Sequence, residues 1–210
     1  MLLKTTTKLF YGKYQYKTVL VCSGAQLFRG CDLEHAEKSL EYIDLTTNAK
    51  DKLRRNIIKT PEEYKYALKL LKKLKKIQDF DLRVESPWIS IYSNSKKDIA
   101  ALNKLDETRV KYTSSPASGT TLSAGTIIMS KRNFDYKITL GRTHSENSSF
   151  VQWAESQTGR VQLTKSCKRH LLQNSTWGGS HFYLTGDNVL LMAKMHLGGS
   201  ISKIERIAKQ

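Results

Sequence analysis

The sequence predicts an α+β protein made of two β-α-β-β-α-β units, each with an antiparallel sheet carrying its helices on one face. Three observations point there. The stretch KYQYKTVL, Lys13 to Leu20, returns as NFDYKITL, Asn133 to Leu140; both set a tyrosine and a lysine ahead of β-branched residues and a leucine, the pattern of one strand used twice. With 210 residues the chain has room for two small domains, each with its own core. The Ser/Gly/Thr-rich run SSPASGTTLSAGT lies between the copies and reads as a linker.

In the first copy, Tyr14, Tyr16, Thr18 and Leu20 share one strand face, which strand alternation assigns to the core, with Lys17 on the other. DLEHAEKSLEYID and NAKDKLRRNII have helical periodicity and read as an insertion. The clearest helix is TPEEYKYALKLLKKLKKIQ. Thr60 is its N-cap, Pro61 sits at the first helical position and Glu63 completes a capping box. Tyr64, Ala67, Leu68, Leu71, Leu74 and Ile77 or Gln78 form its apolar side, and Lys65, Lys69, Lys72 and Lys76 a stripe on the other. DFDLRVESPWISIYSN is a pair of strands broken at Ser86-Pro87, SKKDIAALNKLD a short helix and TRVKYTSSP a closing strand. Ile89 and Ile91 turn inward, leaving Trp88, Ser90 and Tyr92 outward; Val110 and Tyr112 turn inward, leaving Arg109 and Lys111 outward.

The second copy repeats this order more loosely, with a strand at Phe134 to Leu140, a helix at 149–157, the basic helical segment LTKSCKRHLLQ, the strand HFYL, the helix VLLMAKMHL and the strand SISKIERI. Phe134, Tyr136, Ile138 and Leu140 are expected in its core, as are Phe182 and Leu184, with Lys137, His181, Tyr183 and Thr185 outward. The order is that of a ferredoxin-like or RRM-like unit, present twice by internal duplication. The expected boundaries are 1–116 for the first unit, with the helical insertion at about 32–58, then a linker at 117–130 and a second unit at 131–210.

Thirty-five basic residues against 19 acidic ones give a net charge of +16. Both parts share it, with 23 against 14 in 1–116 and 12 against 5 in 117–210. Such an excess costs self-repulsion in a compact fold, and a polyanionic partner is the natural expectation. Three cysteines, Cys22, Cys31 and Cys167, without a CxxC spacing argue for a reducing compartment. With no long apolar run and no apolar core to MLLKTTTKLF, the chain is expected to be soluble, cytoplasmic and without a membrane partner. Low proline and abundant lysine suit a viral or phage accessory protein.

The outward residues Lys17, Trp88, Tyr92, Arg109, Lys111, Lys137 and Tyr183 would give open sheet faces on which bases stack while cations neutralise phosphates. The helical lysines Lys65, Lys69, Lys72 and Lys76, together with Lys165, Lys168 and Arg169, would track a phosphate backbone. The same sheet faces could instead pack between the two units. Gly178-Gly179 and Gly198-Gly199 lack dinucleotide or P-loop spacing and read as turns. No cofactor or metal is implied, since Cys167 and His170 lie one helical turn apart but no second pair closes a tetrahedral site.

In element order the paired units resemble the repeat-associated RNA-binding proteins of CRISPR systems, although the extended C-terminal glycine-rich loop of that group has no counterpart. The first expectation is a non-enzymatic protein binding RNA or single-stranded DNA. The second is a metal-independent endoribonuclease of the architecture that this resemblance implies, with His144 or His181 as general base. The third is an assembly protein whose basic surface meets an acidic partner or a packaged genome.

Overall fold

The computed structural model describes residues 2–43, 58, 60–130, 133–142, 147–173 and 178–208. It divides into two compact units, Met1–Leu122 and Ser123–Gln210, so the division falls within the stretch read as a linker. Most of NAKDKLRRNII, and with it the second helix expected in the insertion, lies outside the described residues.

The first unit contains β1 (Leu2–Thr6), β2 (Tyr16–Val21), α1 (Leu33–Tyr42), α2 (Pro61–Leu74), β3 (Phe80–Glu85), β4 (Trp88–Ser93), α3 (Lys96–Asn103) and β5 (Val110–Pro116). Its sheet runs β1-β5-β2-β4-β3. Strand β2 is antiparallel to both β4 and β5, β3 is antiparallel to β4, and β1 pairs parallel with β5. The second unit contains β6 (Thr126–Ile128), β7 (Tyr136–Leu140), α4 (Ser148–Ser156), β8 (Val161–Leu163), α5 (Lys165–Leu172), β9 (His181–Leu184), α6 (Asp187–Leu197) and β10 (Ile201–Ala208). Its sheet, β6-β10-β7-β9-β8, repeats the first strand for strand, including the parallel edge pair. Two mixed α+β units with matching five-stranded sheets fit a duplication. The repeated stretches supply β2 and β7, the central strand of each sheet.

Each sheet has one strand more than the β-α-β-β-α-β order allows. Strand β1 comes from an N-terminal stretch without alternation, and β6 from three residues inside the stretch read as a linker. Both are edge strands whose pairing partner, β5 or β10, arrives late in its unit, so local pattern does not announce them. The second unit also inserts α5 between β8 and β9, where the first has only the Ser86-Pro87 turn.

Capping sets the helix starts. Thr60 Oγ1 accepts the Glu63 N–H at 3.3 Å, Ser95 Oγ accepts the Asp98 N–H at 3.1 Å, and Thr164 Oγ1 accepts the Cys167 N–H at 3.2 Å. Helix α2 buries Tyr66, Ala67, Leu70, Leu71 and Leu74. Its inward side is thus centred between the expected Ala67 and Leu71 but takes in Tyr66 and Leu70, while Tyr64 and Leu68 sit at its margin. These residues close on Leu20, Ile89 and Ile91 from the sheet and Leu102 from α3. Beneath α3, Thr18 Oγ1 donates to Asn103 Oδ1 at 2.6 Å and Asn103 Nδ2 donates to Thr113 Oγ1 at 3.0 Å, so buried hydroxyls on β2 and β5 are satisfied by one helical amide. The second core packs Ile138, Leu140, Phe150, Phe182 and Leu184.

Strand β5 departs from simple alternation. Val110 pairs with Leu20 and Tyr112 with Val19, so Lys111 is bulged out of the ladder. The bulge keeps Val110 in the core and moves Tyr112 to the opposite face, against the expectation that both point inward. Phe134 also departs from expectation: it precedes β7 and packs on Tyr183, across the sheet from the main core.

Candidate nucleic-acid interface

In the first unit, α2 and α3 cover one face of the sheet, and the other face carries a group of lysines seated on aromatic rings. Register places Lys17 on β2, Trp88, Ser90 and Tyr92 on β4, Tyr112 on β5 and Lys4 on β1 together there. Lys111 Nζ stands 3.2 Å from the Trp88 ring centroid, and Lys4 Nζ stands 4.0 Å from that of Tyr112. Lys17 Nζ lies 5.3 Å from the Tyr112 ring, 5.4 Å from Tyr92 and 5.9 Å from Phe10. Each ammonium is held by a ring quadrupole, and none of the three forms an ion pair with a described residue. Arg83 shares the face but is bonded to Glu85 at 2.6 Å. Asp81, from the same edge strand, adds a second carboxylate to the described residues of this face.

A turn folds over part of this face. Phe10 and Tyr14 bridge, with the Phe10 N–H donating to Tyr14 O at 2.8 Å, and Tyr11 and Gly12 adopt φ of 53° and 70°. Their left-handed backbone reverses the chain and lays Phe10 and Tyr11 against Tyr92, with ring centroids at 5.5 and 4.9 Å. Tyr92 is therefore only 4% exposed and its hydroxyl is pushed up by burial, whereas Trp88 is 38% and Tyr11 61% exposed. Tyr92 is a floor for other rings, not the open platform expected of it.

Among the other expected contact residues, Lys17, Trp88 and Lys111 are brought together, and Arg109 is not. Its guanidinium sits 4.5 Å from the Tyr66 ring on the helix side and its Nε donates to Asp106 Oδ2 at 3.0 Å. Lys65, Lys69 and Lys72 are exposed along α2 and Lys76 just past its end at Leu74, and none of the four forms an ion pair with a described residue. They line the outer surface of the helix layer, on the far side of the sheet from Trp88, so one short strand cannot lie on both. Phe10, Tyr11, Tyr112 and Lys4 were missed by sequence reasoning. A turn places Phe10 and Tyr11, a bulge Tyr112 and an edge strand Lys4, and the clustering of lysine with tyrosine in both termini of this unit was the available signal.

The corresponding face of the second unit is closed. Tyr183 is 4% exposed, stacked on Phe134 at 5.8 Å and packed with Ile127 and Ile207. Strand β6 supplies Ile127, and that strand is what the expectation of an open face lacked. Lys137 lies 3.9 Å from Glu205, a carboxylate only 3% exposed that also accepts from Lys203 Nζ at 2.7 Å. Lys168 is paired with Glu155, while Lys165 and Arg169 are exposed on α5. His181 stands edge-on to Tyr183 at 5.4 Å, and His144 lies outside the described residues.

Thiol chemistry finds no activated group in the two buried positions. Burial pushes Cys22 up to about 11 and Cys167 up to about 12, keeping both protonated near neutrality. Among the described residues, no three His, Cys, Asp or Glu side chains come together to hold a metal ion, and no helix is long and apolar enough to cross a membrane. No protein-family model matches the chain, nor does any curated protein or solved structure.

Proposed function

We propose that this chain is a non-enzymatic protein that binds single-stranded RNA or DNA, with bases on the helix-free sheet face of the first unit and phosphates on its lysines. The observation that carries the reading is the seating of Lys4, Lys17 and Lys111 on the rings of Tyr112, Tyr92 and Trp88. A base stacking on Trp88 displaces Lys111 from the ring, which costs about 0.5–1 kcal/mol at an exposed site. Stacking returns about 1–3 kcal/mol per base, and the displaced ammonium stays within reach of the phosphate. The net charge of +16 supports the same partner, and binding driven by the backbone is sensitive to salt. All three cysteines are free, as suits a protein working in the reducing cytoplasm.

Fluorescence anisotropy with a 20-nucleotide RNA, the matching DNA strand and the duplex, each at two salt concentrations, tests this. Salt-sensitive preference for a single strand, weakened by Trp88→Ala more than duplex binding is, is the expected result. Affinity that does not change with salt, or equal loss for strand and duplex, would remove the sheet face from consideration.

A further inference from the structure

Helix α5 presents Ser166, Arg169, His170 and Gln173 at the i, i+3, i+4, i+7 spacing of a single helix face. That face looks across a cavity of about 310 Å³ to Gly178, Gly179 and Ser180, immediately before β9. The backbone on the β9 side is fixed. The Gly179 N–H donates to Leu140 O and the Leu140 N–H to Ser180 O, both at 2.8 Å. A Cβ at Gly178 would stand 3.2 Å from the carbonyl carbon of Gly141 and 3.3 Å from its Cα, a tight contact that would press the two backbones a few tenths of an ångström apart, and Gly179 holds φ at +100°.

Among the described residues, the lining contains no carboxylate. It offers the Arg169 guanidinium, the His170 ring, the Gln173 amide and two serine hydroxyls. Arg169 forms no ion pair with a described residue. Ser180 Oγ is buried and makes no hydrogen bond of ordinary geometry; its neighbour, the Cys167 thiol, is at most a weak partner. A buried hydroxyl in that state costs stability unless something arrives to pair with it. One guanidinium beside hydroxyl and amide donors, no carboxylate among the described lining residues, and a volume at the small end of ligand sites suit a compact anion with several acceptor oxygens.

We infer that this cavity of the second unit binds a phosphomonoester, held by Arg169 and by the hydroxyls of Ser166 and Ser180. The group can come from a mononucleotide or from the phosphorylated end of a strand, and its recognition does not depend on the sheet face of the first unit. Calorimetric titration of the full chain with adenosine 5′-monophosphate, adenosine and inorganic phosphate tests the assignment. The nucleotide is expected to bind and adenosine is not. Arg169→Ala is expected to weaken nucleotide binding by about tenfold or more, the loss of one charge-assisted hydrogen bond, with Arg169→Lys retaining part of it. Ser180→Ala should weaken it severalfold, and Lys38→Ala, which removes an exposed charge in the other unit, should leave it unchanged.

Competition between a 5′-phosphorylated hexanucleotide and its 5′-hydroxyl twin then identifies the source. A clear advantage for the phosphorylated strand assigns the site to strand ends; equal competition, with the mononucleotide still bound, assigns it to free nucleotides. Absence of nucleotide binding at millimolar concentration, equal binding of adenosine, or equal losses in Arg169→Ala and Lys38→Ala would overturn the inference.

Discussion

Replacing Lys4, Lys17 and Lys111 together by glutamine separates the sheet face from the helix layer as the seat of nucleic-acid binding. Each phosphate contact on a single strand contributes about −0.7 to the slope of log K against log salt. Three contacts give a slope of about −2, and affinity then falls by about 20-fold between roughly 50 and 200 mM salt. If the stripe of Lys65, Lys69, Lys72 and Lys76, on α2 and just past its end, joined them, seven contacts would give a slope of about −5 and a fall of about 1,000-fold. The two surfaces lie on opposite sides of one unit, so a short oligonucleotide should show the smaller slope. Fluorescence anisotropy with a fluorescent hexanucleotide at five salt concentrations measures it. The triple substitution is expected to flatten the slope toward zero, and glutamine at the four stripe positions to leave it near −2. A slope unchanged by the triple variant and flattened by the stripe variant would refute the reasoning and move the interface to the helices.

Asn103→Ala removes the amide shared by the buried Thr18 and Thr113 hydroxyls, and the midpoint of urea unfolding should report a loss of about 2 kcal/mol or more; an unchanged midpoint would mean that water replaces the amide. In the native protein at pH 8, the partly exposed Cys31, although burial raises its thiol too, should react with a thiol reagent before the inaccessible Cys22 and Cys167, which burial pushes further up, and all three should react in urea. Two or more fast thiols in the native state would contradict that. Asp79 is held below its ordinary value, first by its hydrogen bond with Lys13, so its contribution to stability is present above the unfolded carboxylate value and is lost as the pH falls through the folded one. Asp79→Asn should therefore lessen the acid sensitivity of unfolding, and acid titration curves that superimpose for the two proteins would count against this role.

Local order in this protein is written in short spans. The capping serine and threonines at 60, 95 and 164, the Ser86-Pro87 break and the alternation of β2, β4, β7 and β9 each depend on residues a few positions apart, and each element they define is present. The likeness of the two units was legible for the same reason, since β2 and β7 occupy equivalent places and show matching patterns. Tyr92 and Tyr183 mark where this reading stops. Alternation placed both on the side away from the helices, correctly, but an open side was a further assumption. Phe10 and Tyr11 arrive over Tyr92 from a turn, and Ile127 and Phe134 over Tyr183 from an edge strand and a loop. No local pattern states that such segments will fold back.

Charge shows the same division. Sequence alone establishes the excess of positive residues and its spread over both units, because counting needs no geometry. Which cations are available was decided by tertiary structure. Lys137 beside the buried Glu205, Arg109 between Tyr66 and Asp106, and Lys168 with Glu155 are engaged, whereas Lys4, Lys17 and Lys111 rest on aromatic rings. The bulge at Lys111 shows the cause most directly: one residue displaced from the β5 ladder turns Tyr112 from the core to the sheet face, and that displacement is fixed by pairing with β2, some ninety residues earlier in the chain.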